Sequence, residues 1–145
     1  MAGWKSVEEI VAYRLAVRLR DRILALVDAG IIPSNWDFRD QLTDAARSVP
    51  ANISEGFHLY KHGRFSFHID VALGSVGELK THLGEAHTRG FITTTEFDEL
   101  MSLREETSRT TSGLQRHLKT TDAPEPWSGS PVAPPKKPRS RRRQP

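Results

Sequence analysis

Ahead of residue 122 the apolar side chains recur at intervals of three and four, the period of amphipathic helices. No stretch alternates with the period of two that a half-buried strand would show. That pattern confines the chain to an all-α fold, and turn signals divide it into four segments. The first begins at Ser6, which with Glu9 forms a capping box, and runs through Ile10, Tyr13, Val17, Leu24 and Val27 to a stop at Gly30. Beyond Ile31, Ile32, Pro33, Ser34 and Asn35, the second keeps one face apolar through Leu42, Ala45, Ala46, Val49, Ile53, Phe57 and Tyr60. Its stripe holds phase across Pro50, although an internal proline removes a hydrogen bond and costs about 3 kcal/mol, so one kinked helix is expected rather than two. His62 and Gly63 mark a turn before a third stripe of Phe65, Ile69, Ala72, Leu73, Val76, Leu79, Leu83 and Ala86, closed by Gly90. Thr93 and Glu96 make a second capping box, opening a fourth helix with Phe97, Leu100, Met101, Arg104, Thr107, Thr111, Leu114 and Leu118 along one side. Helices joined by short loops alternate in direction, which gives an up-down-up-down four-helix bundle.

Composition separates this body, residues 1–122, from a tail, residues 123–145. The tail holds seven of the nine prolines and six of the 21 Lys and Arg against one acid, so it carries +6 − 1 = +5 and the preceding 122 residues sum to −2. Too poor in aliphatic residues to offset the entropy of ordering, the tail is expected to be disordered. The body is long enough to bury about two-thirds of its unfolded surface around one core without a disulfide or metal. With no cysteine, thiol nucleophiles, Cys-based zinc sites and disulfide frameworks are excluded. No apolar run approaches the roughly 18 residues needed to span a bilayer, and MAGWKSVEE lacks a signal peptide's hydrophobic stretch. A soluble cytoplasmic protein with no membrane contact is expected.

The stretch from Val49 to Leu83 spends stability where an ordinary bundle would not. Gly74 and Gly77 lie inside the third helix, each costing about 1 kcal/mol relative to alanine. With Ala72 and Ser75 they form a surface of small side chains, matched on the second helix by Ala45, Ala46, Ala51, Ser54 and Gly56. Such surfaces fit either a close packing of helices two and three or a contact between subunits. Asn52 and Glu55, near Pro50, fit either a local polar network or a site for a ligand or RNA.

Glu55 and His58 form one Glu-x-x-His pair, whereas a ferritin-like two-metal bundle needs that pair twice with a carboxylate from each remaining helix. Glu78 with His82 and His58 with His62 stand at i and i+4, a spacing common on solvated helix faces. There is no P-loop, no G-x-S-x-G and no H-E-x-x-H. Neither an enzyme nor a metal or cofactor is expected. The clearest charge signal is Lys136, Lys137, Arg139, Arg141, Arg142 and Arg143. It reads as a solubilising tail, as attraction to nucleic acid phosphates or as a site for an acidic protein partner. Trp127 offers a stacking platform for a base, but stands alone among prolines.

The blocks VPANISEGF and ALGSVGEL resemble the signature of the 23S rRNA intervening-sequence protein family. The matching positions are Ser48, Val49, Pro50, Asn52, Ile53, Ser54, Glu55 and Gly56, then Ala72, Gly74, Ser75, Glu78 and Leu79. The resemblance runs more loosely from the first helix to about Leu118 and leaves out the tail. It implies a ring-like homopentamer of all-helical bundles, with relatives that serve as accessory proteins of diversity-generating retroelements, bind nucleic acid and dock a reverse transcriptase. After Phe57 the chain departs from the family pattern, with His58, Leu59, Tyr60 and Lys61 where Gly-Arg and a polar turn are usual.

The expected protein is therefore a non-enzymatic oligomeric scaffold that binds RNA or DNA mainly by electrostatics. The alternative is an adaptor whose bundle holds a partner enzyme, such as a reverse transcriptase or a defence effector. A ring needs two different patches per subunit. The small-residue surface of helices two and three is expected to supply one, and Leu15, Leu19 and Ile23, taken as exposed, the other.

Overall fold

A computed structural model describes residues 3–120, and every regular element among them is helical. A 3-10 turn at Val7–Glu9 precedes α1 (Val11–Asp28) and α2 (Arg39–His58). A second such turn, Tyr60–His62, leads into α3 (Phe65–Thr88) and α4 (Thr94–Thr120). Helices α1 and α3 each pack on both α2 and α4, so the four enclose one core. Among the described residues no helix is long and apolar enough to cross a membrane.

Local chemistry sets the boundaries. At the start of α4 the Glu96 N–H donates to Thr93 Oγ1 at 3.1 Å and the Thr93 N–H to Glu96 Oε1 at 2.9 Å. This reciprocal capping box satisfies two backbone donors that a helix start would leave unpaired. Helices α1 and α3 stop at Gly30 and Gly90, with φ of 74° and 76°. There the Ile31 and Phe91 N–H groups reach back to the carbonyls of Leu26 and Ala86, both at 3.0 Å. Glycine takes this left-handed conformation without a steric penalty.

The capping box expected at Ser6 and Glu9 does not form. Ser6 makes no side-chain cap, Glu9 accepts instead from the Lys5 N–H at 2.6 Å, and Ile10 is extended, so α1 starts only at Val11. The break carries Trp4 across the end of the bundle, edge-on to Phe65 at 6.3 Å and His117 at 6.1 Å. Aromatic contacts of about 0.5–1.5 kcal/mol each offset a cap of about 1 kcal/mol. In α2 the helix runs unbroken through Pro50, whose missing N–H leaves the Ala46 carbonyl without its usual donor.

Leu15, Leu19 and Ile23 are not surface residues. Leu19 and Ile23 are fully buried, and Leu15 is buried with them. The expectation had the phase of α1 wrong: because α1 packs on two neighbours, its buried face is Ala12, Leu15, Ala16, Leu19, Ile23 and Val27, and Tyr13, Val17 and Leu24 are only half-buried beside it. The loop after α1 adds Ile32 and Trp36 to the core. Helix α4 turns polar groups inward. Arg104, Thr107 and Thr111 are buried, and the Thr107 hydroxyl donates to the Leu103 carbonyl of its own helix at 2.7 Å.

Candidate functional site

The residues of the two sequence blocks meet along the seam between α2 and α3. Asn52 Nδ2 donates to the carbonyl of Ser48 and to Ser48 Oγ, both at 2.9 Å. Across the seam the Ser75 hydroxyl donates to Ser48 Oγ at 2.8 Å, and His68 Nδ1 lies 3.1 Å from Asn52 Oδ1. A backbone carbonyl can only accept, so the Asn52 amide must turn its NH2 to Ser48 and its oxygen to His68. That orientation requires a proton on His68 Nδ1, whatever the charge of the ring. Glu55 Oε2 approaches the same nitrogen only to 3.9 Å, from a side chain 59% exposed. It belongs to the rim of the network.

Backbone shape supports the seam. A Cβ added to Gly56 would lie 2.8 Å from His68 Cβ, 3.0 Å from Phe65 Cδ1 and 3.2 Å from the Phe65 carbonyl oxygen. Close approach of the two helices therefore depends on Gly56. Gly74 and Gly77 play no such part within one protomer: both are exposed and an added Cβ would meet nothing within 4 Å. The small-residue surface expected to join α2 and α3 is thus divided. Ala45, Ala46, Gly56, Ala72 and Ser75 are buried, whereas Ala51, Gly74 and Gly77 are exposed. The reason is phase: on α3, Ser75 faces α2 and its neighbours Gly74 and Gly77 fall on the far side of the helix.

Of the other motif residues, Glu78 is exposed on α3 and Pro50 is buried on α2. Pro50 also lines an open groove of about 560 Å³ between α1 and α2, with Tyr13, Arg20, Asp21, Leu24, Arg47, Ala51 and Ser54. The structure therefore unites Ser48, Asn52, Gly56 and Ser75 and leaves Glu78, Gly74 and Pro50 outside the network. His68 completes it. Sequence reasoning passed over this histidine, although its place three residues after Phe65 and four before Ala72, both in the buried stripe, was the available signal.

The chemistry of the seam is that of a clasp. Its serine hydroxyls bond to each other and to backbone, and among the described residues no ring nitrogen hydrogen-bonds to either. His58 turns Nδ1 to the Ser54 carbonyl of its own helix at 2.7 Å. Among the described residues no group of three or more His, Asp and Glu is placed to hold a metal ion. Several arginines of the body already face acids: Arg20 with Asp21 at 2.9 Å, Arg22 with Glu99 at 3.0 Å and Arg39 with Asp40 at 3.2 Å. Lys136, Lys137, Arg139, Arg141, Arg142 and Arg143 lie outside the described residues.

A four-helix body clasped along one seam by a Ser–Asn–His–Ser network defines a class of helix-bundle protein. Residues 8–113 match the family model described as 23S rRNA-intervening sequence protein, and the chain belongs to that family. No curated protein matches the sequence.

Proposed function

We propose that the protein is a non-enzymatic, self-associating helical scaffold that binds nucleic acid, RNA or DNA, chiefly through the basic residues following its body. The observation that carries this reading is membership of the 23S rRNA-intervening sequence protein family. Charge indicates which part of the chain does the binding. The first 122 residues sum to −2 and residues 123–145 to +5, and the paired arginines of the body present a partly neutralised field. Lys136, Lys137, Arg139, Arg141, Arg142 and Arg143 then contact phosphates without reading sequence.

The finer architecture belongs to the same proposal. Short connections order the helices up-down-up-down, and copies close into a homopentameric ring in the cytoplasm. Five copies would bring 5 × 6 = 30 of these Lys and Arg to one assembly, so weak contacts become tight wherever one nucleic acid reaches several tails.

Binding of single-stranded RNA over a salt series, by the full chain and by a chain lacking residues 123–145, tests the reading. One tail with six phosphate contacts gives a log–log slope of up to about −0.7 × 6, or −4, and deletion is expected to abolish most of the affinity at moderate salt. Unchanged affinity and slope after deletion overturn it. That result would favour the adaptor reading, in which the bundle holds a partner enzyme such as a reverse transcriptase and the tail is incidental.

A further inference from the structure

Two surface features of the body lie outside the clasp, and their chemistry is complementary. The first is the outer face of α3. Phe67 and Val71, one turn apart, are 62% and 38% exposed, and Glu78 continues the same face at a further seven residues. Glu78 has no ion-pair partner among the described residues. Between them Gly74 leaves the helix bare. Leaving a phenylalanine in water forgoes roughly 1.5–3 kcal/mol that burial would give.

The second feature is the groove between α1 and α2. Its volume of about 560 Å³ is in the range of cavities that hold a drug-sized ligand. Tyr13, Leu24, Pro50 and Ala51 give it apolar lining, and Arg20 and Arg47 give it positive charge. Arg20 is engaged by Asp21 at 2.9 Å, whereas Arg47 has no acidic partner among the described residues.

The geometry points to a head-to-tail contact in which the α3 ridge of one copy of this chain seats in the α1–α2 groove of the next. Phe67 and Val71 pack on the apolar lining of the groove and Glu78 faces Arg47. This rests on the self-associating scaffold proposed above and assigns its two patches, replacing the pair in which Leu15, Leu19 and Ile23 formed one side. Ridge and groove lie on different helices, so each copy uses one of each. Such a contact propagates and closes into a ring when the rotation between copies divides a full turn.

The full chain, which has no cysteine of its own, suits a mass measurement by light scattering together with directed cross-linking. Arg47→Glu and Glu78→Arg are each expected to weaken assembly by about tenfold or more through like-charge contact, and the double variant to recover it. Phe67→Asp is expected to yield a smaller species whose circular dichroism matches the parent's, since the side chain it replaces is mostly in solvent. With Phe67→Cys and Ala51→Cys in one chain, oxidation is expected to produce a covalent ladder longer than two chains.

An unmodified chain that is monomeric at micromolar concentration overturns both the scaffold reading and this contact. An assembly unmoved by all three single non-cysteine variants, with no ladder, overturns the contact alone and leaves the scaffold standing. A ladder ending at two chains identifies a two-fold contact and refutes the head-to-tail arrangement.

Discussion

Gly56 and Gly77 sit inside neighbouring helices and carry the same propensity penalty, yet alanine should move stability in opposite directions. Relative to glycine, alanine gains about 1 kcal/mol in a helix interior. At Gly77 nothing lies within 4 Å of the new methyl group, so the gain stands alone. At Gly56 the methyl would lie 2.8 Å from His68 Cβ and 3.0 Å from Phe65 Cδ1. His68 Cβ is fixed to the α3 backbone and cannot swing aside, so the helices must separate. Overpacking of this kind costs about 1–3 kcal/mol. Separation also stretches the 3.1 Å contact of His68 with Asn52, a hydrogen bond of about 1 kcal/mol. The net is a loss of about 1–3 kcal/mol for Gly56→Ala against a gain of about 1 for Gly77→Ala. With m near 2 kcal/mol/M, the urea midpoint falls by about 0.5–1.5 M in the first and rises by about 0.5 M in the second. Circular dichroism over a hundredfold range of protein concentration separates this from any change in association. A Gly56→Ala midpoint equal to or above that of the parent would refute close approach at this residue.

Asn52→Ala removes both donations to Ser48 and leaves the His68 Nδ1 proton without its acceptor, so a loss of about 1–3 kcal/mol is expected, larger than that of Ser48→Ala, which keeps the Asn52–His68 bond. Equal losses in thermal melts would refute this ranking and show that the Asn52–His68 bond does not survive the loss of the Ser48 hydroxyl. Arg104 is buried with Nη1 3.4 Å from the Val76 carbonyl, Nη2 3.7 Å from Glu105 and Nε unpartnered. Replacing it by methionine, which restores no charge to be solvated, should be neutral or stabilising by up to about 2 kcal/mol in urea unfolding; a clear loss would show that the guanidinium contributes more than these contacts.

Helix number and approximate extent were legible because two signals agree at most boundaries: the apolar period stops where a glycine or a capping box stands, as at Gly30, Gly90 and Thr93. The first turn escaped because Ser6 and Glu9 carry the cap pattern while Trp4, at six ångströms from its ring partners, decides the path of the chain through contacts distant in sequence. The phase of α1 escaped for a related reason. Tyr13, Val17 and Leu24 make one stripe and Leu15, Leu19 and Ile23 another, and only the positions of both neighbouring helices choose between them. Glycine cost showed that the stretch from Val49 to Leu83 is unusual without showing which glycine is covered. That depends on the cross-seam register, which places Gly56 against Phe65 and His68 and turns Gly74 away.

The same register connects the motif to the outer surface. Helix α3 is held in rotation on both flanks, by Ser75 and His68 to Ser48 and Asn52 of α2, and by Asp70, whose carboxylate accepts from Gln115 of α4. A rotation of one residue, about 100°, would bring Gly74 or Val76 to the place of Ser75 and swing Phe67 toward a neighbouring helix. Hydrophobic burial alone does not prevent such a rotation, because α3 carries apolar side chains on its outer face as well as its inner one. Directional hydrogen bonds do. The clasp therefore fixes the side of α3 that reaches solvent, and substitutions at Ser48 or Asn52 should alter the presentation of Phe67 and Val71 without touching either residue.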